Sequence, residues 1–261
     1  MNAPIHAPLL EARSLAKSYG GRPACSHVSL TIDPGEVLAI VGESGSGKST
    51  LLNLLSGRLT PDTGTVRYRM RDGVSRDLAA MSEAERRLLM RTDWGFVHQD
   101  AALGLRMNVS AGGNIGERLM AIGSRHYGDI RETAAGWLTR VEIDVDRIDD
   151  KPAAYSGGMR QRLQIARNLV TNPRLVFMDE PTGGLDVSVQ ARLLDLIRGL
   201  VADLGLSVVL VTHDLAVARL LSHRIIVMKQ GHVIETGLTD RVLDDPQAPY
   251  TQLLVSSVLA A

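Results

Sequence analysis

The residues with the clearest chemical meaning form one glycine-rich segment, Gly42–Thr50, which follows an apolar run at 37–41. The segment reads G-x-x-x-x-G-K-S, and its context of strand, loop and helix is that of a phosphate-binding loop rather than of an ordinary glycine turn. Glycines let backbone N–H groups turn toward a polyphosphate, and the start of the following helix adds partial positive charge. The predicted phosphate contacts come from Gly42, Glu43, Ser44, Gly45, Ser46, Gly47, Lys48, Ser49 and Thr50.

Four side chains have predicted roles in phosphoryl chemistry. Lys48 would reach the β- and γ-phosphates, and the Ser49 hydroxyl would bind Mg²⁺. An apolar strand at 175–178 ends in Asp179 and Glu180, and ligands of open α/β sheets bind at the carboxyl ends of strands. Asp179 would then serve Mg²⁺ through a water, and Glu180 would polarise the attacking water. Taken alone, an acidic pair at a strand end is equally well explained as structural.

Composition gives no reason to expect a nucleic acid or an anionic lipid surface as a direct partner. The chain has 261 residues, enough for one large or two small domains, and its 29 Lys+Arg are balanced by 29 Asp+Glu. A net charge of zero supplies no electrostatic attraction to polyanions. Acidic residues interleave with the local arginine clusters, which favours a solvated face.

The single cysteine and the first residues bear on location. Cys25 has no partner for a disulfide within the chain, so a reducing compartment fits, and a small buried hydrophobe is its expected role. Residues 1–6 lack the basic and apolar regions of a signal peptide. No apolar run approaches the roughly 18 residues of a membrane span. We therefore expect a cytoplasmic protein that serves a membrane only through a partner.

Apolar runs alternate with amphipathic segments along the chain. Strands are predicted at Leu9–Ala12, Val28–Ile32, Val37–Val41, Thr65–Tyr68, Gly95–Gln99, Leu175–Met178, Ser207–Val211 and Arg224–Met228. Helices are predicted after the phosphate loop, from a capping box at Ser82–Glu85, over Ala134–Val141, after Gly158, through Val189–Leu200 and over Leu215–Leu221. Residues 100–154 are helix-leaning, with Gly112–Gly113 and Gly123 as breaks. This alternation predicts an α/β core with a helical insertion.

A second motif points to a family. Ser156, Gly157 and Gly158, flanked by Tyr155 and Met159, resemble the L-S-G-G-Q signature of the ATP-binding cassette family. Tyrosine replaces the leucine and methionine replaces the glutamine. A serine at the start of a glycine-rich helix can offer donors to a γ-phosphate. A helix cap would explain Ser-Gly-Gly alone, but not its position in this series of motifs.

The same resemblance implies roles for four further residues. Gln99 matches the glutamine that contacts Mg²⁺ and couples to a partner subunit, and His213 matches the switch histidine that contacts the γ-phosphate. Asp186 lies in the loop that crosses the dimer contact, although family members more often carry Ser-Ala where this chain has glycines at 183–184. Tyr19 is similar to the aromatic residue that stacks on adenine, and an exposed tyrosine in a turn also has a purely structural explanation.

Membership of this family implies the fold, the ligands and the assembly. The fold class is then α/β: a P-loop NTPase with a RecA-like mixed sheet core, an antiparallel β subdomain and a helical subdomain. One domain would cover 9–259, with the core and β subdomain at 9–99 and 170–259, the helical subdomain at about 100–169, and a flexible tail at 1–8. ATP and Mg²⁺ are the expected ligands. Each chain carries one phosphate loop and one signature, so a homodimer with composite ATP sites is expected.

Segments outside the ATPase motifs resemble a narrower branch of the family, the ATP-binding subunits of phosphonate carbon–phosphorus lyase systems. They include 112–120, 125–131, 147–150 and the end of the chain from Gly237. This resemblance implies soluble lyase core subunits as partners, with the C–P bond cleaved elsewhere, since one cysteine cannot hold an Fe–S centre. The alternative is an ATPase of an oligopeptide, nickel or phosphonate importer, bound to a membrane permease. A clamp on DNA or ribosomes lacks its usual coiled-coil insertion or second cassette.

Overall fold

The computed structural model describes residues 7–259, with side chains as far as 257. Residues 1–6 of the predicted tail therefore lie outside the described part of the chain. The chain divides into two compact units, one from the segments up to Arg86 and from Gly205 onward, the other from Arg87–Leu204. The domain boundaries expected from the family fall at other positions and stay a prediction.

The strands in chain order are β1 (Leu10–Tyr19), β2 (Arg22–Ile32), β3 (Val37–Val41), β4 (Thr63–Arg69), β5 (Ser75–Asp77), β6 (Trp94–Val97), β7 (Leu175–Asp179), β8 (Ser207–Val211), β9 (Arg224–Lys229) and β10 (His232–Leu238). The helices are α1 (Lys48–Leu55), α2 (Glu83–Thr92), α3 (Ala101–Gly104), α4 (Ala111–Ala121), α5 (Tyr127–Arg140), α6 (Gly157–Leu169), α7 (Val187–Leu204), α8 (Leu215–Leu221), α9 (Thr239–Asp244) and α10 (Pro249–Leu259).

The first unit contains two sheets. An antiparallel sheet has the order β2-β1-β4-β5, and in a mixed sheet β3 lies between β8 and β9 and parallel to both, with β10 antiparallel to β9 at the edge. All five residues of β3 are buried, as expected for a strand covered on both faces. This sheet carries the phosphate loop at the carboxyl end of β3.

The second unit is mainly helical around the parallel pair β6 and β7. Helix α6 packs on α4 and on β6. Met159, Leu163, Ala166 and Val170 recur at the spacing of one helix face, which predicts a core face. Leu163, Ala166 and Val170 are buried, whereas Met159 is only half-buried. The predicted fold class, α/β with an antiparallel sheet and a mixed sheet, is confirmed.

Some element boundaries differ from the sequence-based predictions. Gly112–Gly113 is not a helix break: it forms the first turn of α4, capped by the Ser110 hydroxyl. A Cβ at Gly112 would lie 2.7 Å from Ile148 Cγ1, so tight packing requires glycine there. Strand β6 ends at Val97, which leaves Gln99 in the following loop. The predicted first strands were too short because β-bulges interrupt the apolar alternation.

The capping box was predicted correctly. The Ser82 N–H donates to Glu85 Oε2 at 2.8 Å and the Glu85 N–H donates to Ser82 Oγ at 3.2 Å. Strand β10 and helices α9 and α10 were not predicted. The sequence of β10 includes glycine and glutamate, which weaken a strand signal. Among the described residues, no helix combines the length and apolar character needed to cross a membrane.

Cys25 is 1% exposed, and burial raises the pKa of its thiol to about 11. Since the thiolate is the reactive form, we expect Cys25 to resist a thiol reagent at pH 8 and to react rapidly once guanidinium unfolds the chain. Following absorbance of a released aromatic thiol measures this. Equal rates in the native and unfolded protein would contradict the buried placement.

Candidate nucleotide-binding and hydrolysis site

Two glycines of the phosphate loop lie against other backbone segments of the first unit. Gly42 has φ 147° and Gly47 has φ 104°, both in the range that favours glycine. A Cβ at Gly42 would come within 2.2 Å of the Met228 carbonyl oxygen, and one at Gly47 within 2.0 Å of the Ala24 carbonyl oxygen. The loop can therefore sit this close to β9 and β2 only with glycine at these positions.

Hydrogen bonds complete the loop's shape. The buried Lys48 ammonium donates to the carbonyl oxygens of Gly42 and Glu43 at 2.8 and 2.9 Å. From outside the loop, the Gly231 N–H donates to the Ser46 carbonyl at 2.8 Å. The Ser46 hydroxyl is buried and has no hydrogen-bond partner among the described residues. A glycine cradle, a buried ammonium and an orphaned hydroxyl are what a polyanion site requires, so the loop fits nucleotide phosphates.

His213 lies at the same sheet edge as the phosphate loop. Ile40 pairs with Val211 in the parallel strands β3 and β8, and the Thr212 N–H donates to the Ile40 carbonyl at 3.2 Å. His213 follows directly and is exposed. The Asp214 carboxylate accepts from the Ala216 N–H at 2.8 Å, which begins α8 and fixes the turn that carries the histidine.

Tyr19 is 54% exposed at the end of β1, with the Lys17 ammonium 6.0 Å from its ring centroid. An open aromatic face in this position is compatible with stacking on a base. Its contact with adenine stays a prediction.

In the second unit, the predicted glutamine and the predicted catalytic acid are in contact. Strands β6 and β7 run parallel with Val97 opposite Met178, so Gln99 and Glu180 emerge at the same edge. Gln99 Nε2 donates to Glu180 Oε2 at 3.3 Å. Asp179, the last residue of β7, is half-buried beside them. The parallel register of the two strands therefore brings the predicted glutamine and the two predicted acids to one edge.

The backbone at Glu180 is in a region that non-glycine residues rarely occupy, with φ 43°. Such conformations cluster at functional sites, where surrounding contacts hold them. The Gly183 N–H donates to the Glu180 carbonyl at 2.9 Å, which closes the turn. A Cβ at Gly183 would lie 2.9 Å from Gln99 Nε2, so a side chain there would displace the amide from its present position.

Sequence reasoning missed a pair of buried glutamines that hold this edge together. Gln161 and Gln164 lie on α6 and are 3% and 0% exposed. Gln161 Nε2 donates to the carbonyls of His98 and Pro181 at 2.9 and 2.8 Å. Gln164 accepts from the His98 N–H at 2.7 Å and donates to Gln161 Oε1 at 2.8 Å. The sequence offers one local indication of these contacts, which is that Gln161 lies three residues after Gly158 at the end of the signature.

The signature begins α6. Ser156 is exposed at the helix N-cap and its hydroxyl accepts from the Met159 N–H at 3.3 Å. A Cβ at Gly158 would lie 2.5 Å from Val189 Cγ1, and one at Gly157 would lie 3.3 Å from Leu185 Cδ2. The signature is thus packed against residues 185–189, which lead into α7. Asp186 follows and its carbonyl accepts from the Val189 N–H at 2.9 Å at the start of α7.

Arg147 contacts both residues at which this signature departs from L-S-G-G-Q. Its guanidinium lies 4.7 Å from the Tyr155 ring centroid, and its Nη1 donates to Met159 Sδ at 3.4 Å. The Tyr155 hydroxyl donates to the Arg147 carbonyl at 2.8 Å, and burial raises the pKa of that phenol. The two substitutions therefore form one packed unit with the arginine, and Tyr155 fills a buried position as a leucine would.

Oxygen donors for a magnesium ion are present at the predicted positions. Ser49 lies in the first turn of α1, and Asp179 and Gln99 lie at the edge of β6 and β7. Among the described residues no group of three or more His, Cys, Asp or Glu side chains could hold a metal ion by itself. Mg²⁺ usually takes one or two carboxylates and completes its shell with phosphates and water, so each of these oxygens is a ligand it can use. That Ser49, Gln99 and Asp179 share one ion stays a prediction.

These features define the class of protein. A family profile described as "ABC transporter" matches residues 25–183, and the chain belongs to this family of ATP-binding cassette proteins. It is an ABC-type ATPase.

Two relatives and one solved structure are similar to this chain over most of its length. The phosphonates utilization ATP-binding protein PhnK of Escherichia coli (strain K12) is 67% identical over 255 residues, which cover 98% of this chain and 99% of that protein. The dipeptide transport ATP-binding protein DppF of the same strain is 35% identical, covering 98% of this chain and 78% of DppF. A dimeric structure of the ATP-binding cassette MJ0796 bound to ADP and Pi is 32% identical with TM-score 0.77, covering 88% of this chain and 98% of that one.

The close approach at Gly47 gives a testable difference between two glycines of the loop. A Cβ at Gly45 (φ 79°) meets no atom within 4 Å. Gly45→Ala should therefore lower the free energy of unfolding only by the cost of placing alanine in the left-handed conformation, about 1–2 kcal/mol. Gly47→Ala adds a backbone clash and should lower the free energy of unfolding by clearly more. Urea denaturation of the two variants measures both values. Equal losses would show that the loop is not pressed against Ala24.

Proposed function

We propose that this protein is the ATP-driven subunit of a carbon–phosphorus lyase system, which docks as a nucleotide-clamped homodimer on the soluble lyase core in the cytoplasm. The observation that carries the proposal is the 67% identity to PhnK over nearly the full length of both chains. The phosphate loop, with its buried lysine and its glycine contacts, supports ATP binding. The protein does not itself cleave the C–P bond.

In the proposed reaction the residues of the chain position and hydrolyse ATP. The N–H groups of the phosphate loop and the Lys48 ammonium hold the phosphates, and Tyr19 stacks on the base. Ser49, Gln99 and Asp179 would hold Mg²⁺, which would supply positive charge beside the phosphates. Glu180 takes a proton from the attacking water, and His213 contacts the γ-phosphate. The strained Glu180 backbone, held by the Gly183 N–H, orients that carboxylate.

The homodimer follows from how the motifs are divided. One chain has one phosphate loop and one signature, and Ser156 is exposed at the N-terminus of α6, where its N–H groups can face an anion. The signature residues Ser156–Gly158 and Asp186 would complete the nucleotide site of the partner copy. The relative MJ0796, a dimer in its ADP- and Pi-bound structure, supports this arrangement.

A conventional importer is the second candidate function. It is supported by the 35–36% identity to peptide transport ATP-binding proteins of Escherichia coli and Bacillus subtilis. In that case Gln99 and residues 100–130 would bind a membrane permease instead of a lyase core.

We expect Glu180→Gln to bind ATP normally and to stall hydrolysis, because the amide cannot accept the proton of the attacking water. The stalled protein should remain dimeric with ATP and Mg²⁺. Phosphate release and size-exclusion chromatography measure the two effects. Wild-type turnover in this variant would remove Glu180 from the proposed reaction.

Two further variants separate binding from pairing. Lys48→Ala should abolish tight ATP binding, whereas Ser156→Arg should leave binding by one copy intact and block the dimer. A Ser156→Arg protein that still pairs and hydrolyses ATP at the wild-type rate would contradict the composite site.

Partner capture decides between the two candidate functions. From cells grown on a phosphonate as phosphorus source, tagged protein should retain soluble lyase subunits, and retention should rise in Glu180→Gln with ATP because the dimer persists. Mass spectrometry of the captured proteins measures this. Capture of a membrane permease without lyase subunits would favour the importer.

A further inference from the structure

The C-terminal helix α10 contacts the phosphate loop through one side chain. The Glu43 N–H donates to the Tyr250 hydroxyl oxygen at 3.2 Å, across 207 residues of sequence. Tyr250 is 8% exposed, and its ring packs in a core cluster with residues of β3, α8, β9 and α9. The packed ring therefore holds the hydroxyl at a fixed position beside the loop.

Contacts on both sides of Tyr250 fix its position. The Lys229 ammonium lies 4.4 Å from the centroid of the ring. At the start of α10 the Glu235 carboxylate accepts from the N–H groups of Gln247 and Ala248 at 2.9 and 3.0 Å. Burial raises the pKa of the Glu235 carboxyl, but hydrogen bonds, including these two, outweigh burial, so its pKa lies below the usual value and the carboxylate stays charged.

The same strand that carries Lys229 leads into the turn that holds the other side of the loop. Gly231 donates its N–H to the Ser46 carbonyl at 2.8 Å. Hydrogen bonds from outside the loop thus reach it near its start, at Glu43, and near its middle, at Ser46. Ser44 and Gly45, two of the residues predicted to contact the phosphates, lie between them.

We propose that Tyr250 is a positioning residue for ATP: its hydroxyl holds the Glu43 N–H and so fixes the phosphate loop in its binding-competent shape. The inference rests on the phosphate-loop assignment of the proposed function. Without the hydroxyl, the first turn of the loop loses its hydrogen bond to α10 and keeps the bonds from Lys48, which belongs to the same loop, while Gly231 still holds Ser46. Nucleotide binding then has to order that turn, which weakens affinity without removing it.

Tyr250→Phe in the full chain is the direct test, since it deletes one oxygen and keeps the ring. One hydrogen bond of ordinary strength corresponds to about 3- to 10-fold weaker ATP binding, measured by calorimetry with Mg²⁺. Hydrogen exchange of the Glu43 amide should also accelerate, measured on the peptide that spans the phosphate loop.

Ser222→Ala is the matched control in the same unit. The Ser222 hydroxyl donates to the Ala218 carbonyl at 2.7 Å and pairs with Thr239 Oγ1 at 2.8 Å, so its loss removes one hydrogen bond at the end of α8 and one between α8 and α9. It should lower the melting temperature at least as much as Tyr250→Phe and leave ATP affinity and Glu43 exchange unchanged.

The outcomes distinguish a failure of the Tyr250 role from a failure of the phosphate-loop assignment. Wild-type affinity and wild-type Glu43 exchange in Tyr250→Phe would overturn the role of Tyr250 alone. Equal loss of affinity in Ser222→Ala would also overturn it, because general loosening would then explain the effect. A wild-type protein that binds ATP no better than Lys48→Ala would overturn the phosphate-loop assignment and this inference with it.

Discussion

The close approach of the phosphate loop to neighbouring backbone is the constraint on which the candidate site depends. The positions of Gly42 and Gly47 against carbonyl oxygens of β9 and β2 leave no room for a Cβ. Lys48 bonds to the loop's own carbonyls at Gly42 and Glu43, and the Gly231 N–H bonds to Ser46 from outside. Contacts present before any ligand binds therefore hold the loop's backbone, and a preorganised backbone lowers the cost of binding an anion.

In the second unit, the acidic side chains of Asp179 and Glu180 and the amide of Gln99 are held at one strand edge. Buried amides must be fully hydrogen-bonded, since an unsatisfied one would destabilise the fold. Gln161 and Gln164 meet this requirement by bonding the loop after β6 and the segment after β7. The helix that begins at the signature is therefore the same element that fixes the neighbourhood of Gln99 and Glu180. A displacement of α6 would therefore move the signature and the surroundings of Gln99 and Glu180 together.

Elements with strong local patterns were predictable. The apolar runs of β3, β7 and β8 and the capping box at Ser82 were predicted close to their observed bounds. Elements that depend on distant neighbours were not. Gly112–Gly113 was predicted as a helix break, but in the fold it begins α4, and Gly112 makes room for Ile148. The polar edge strand β10 is stabilised by its pairing with β9 rather than by its own composition.

The sequence by itself determined the chemistry: the order of glycines, lysine and serine in the phosphate loop, the acids after β7, and the signature, because each is a local pattern that requires few residue types at fixed spacing. Only the tertiary structure decided which side chains support them. Gln99 meets Glu180 across 81 residues and Tyr250 meets Glu43 across 207. Such contacts depend on strand register and helix packing, which bring distant segments together and leave no local trace in the chain.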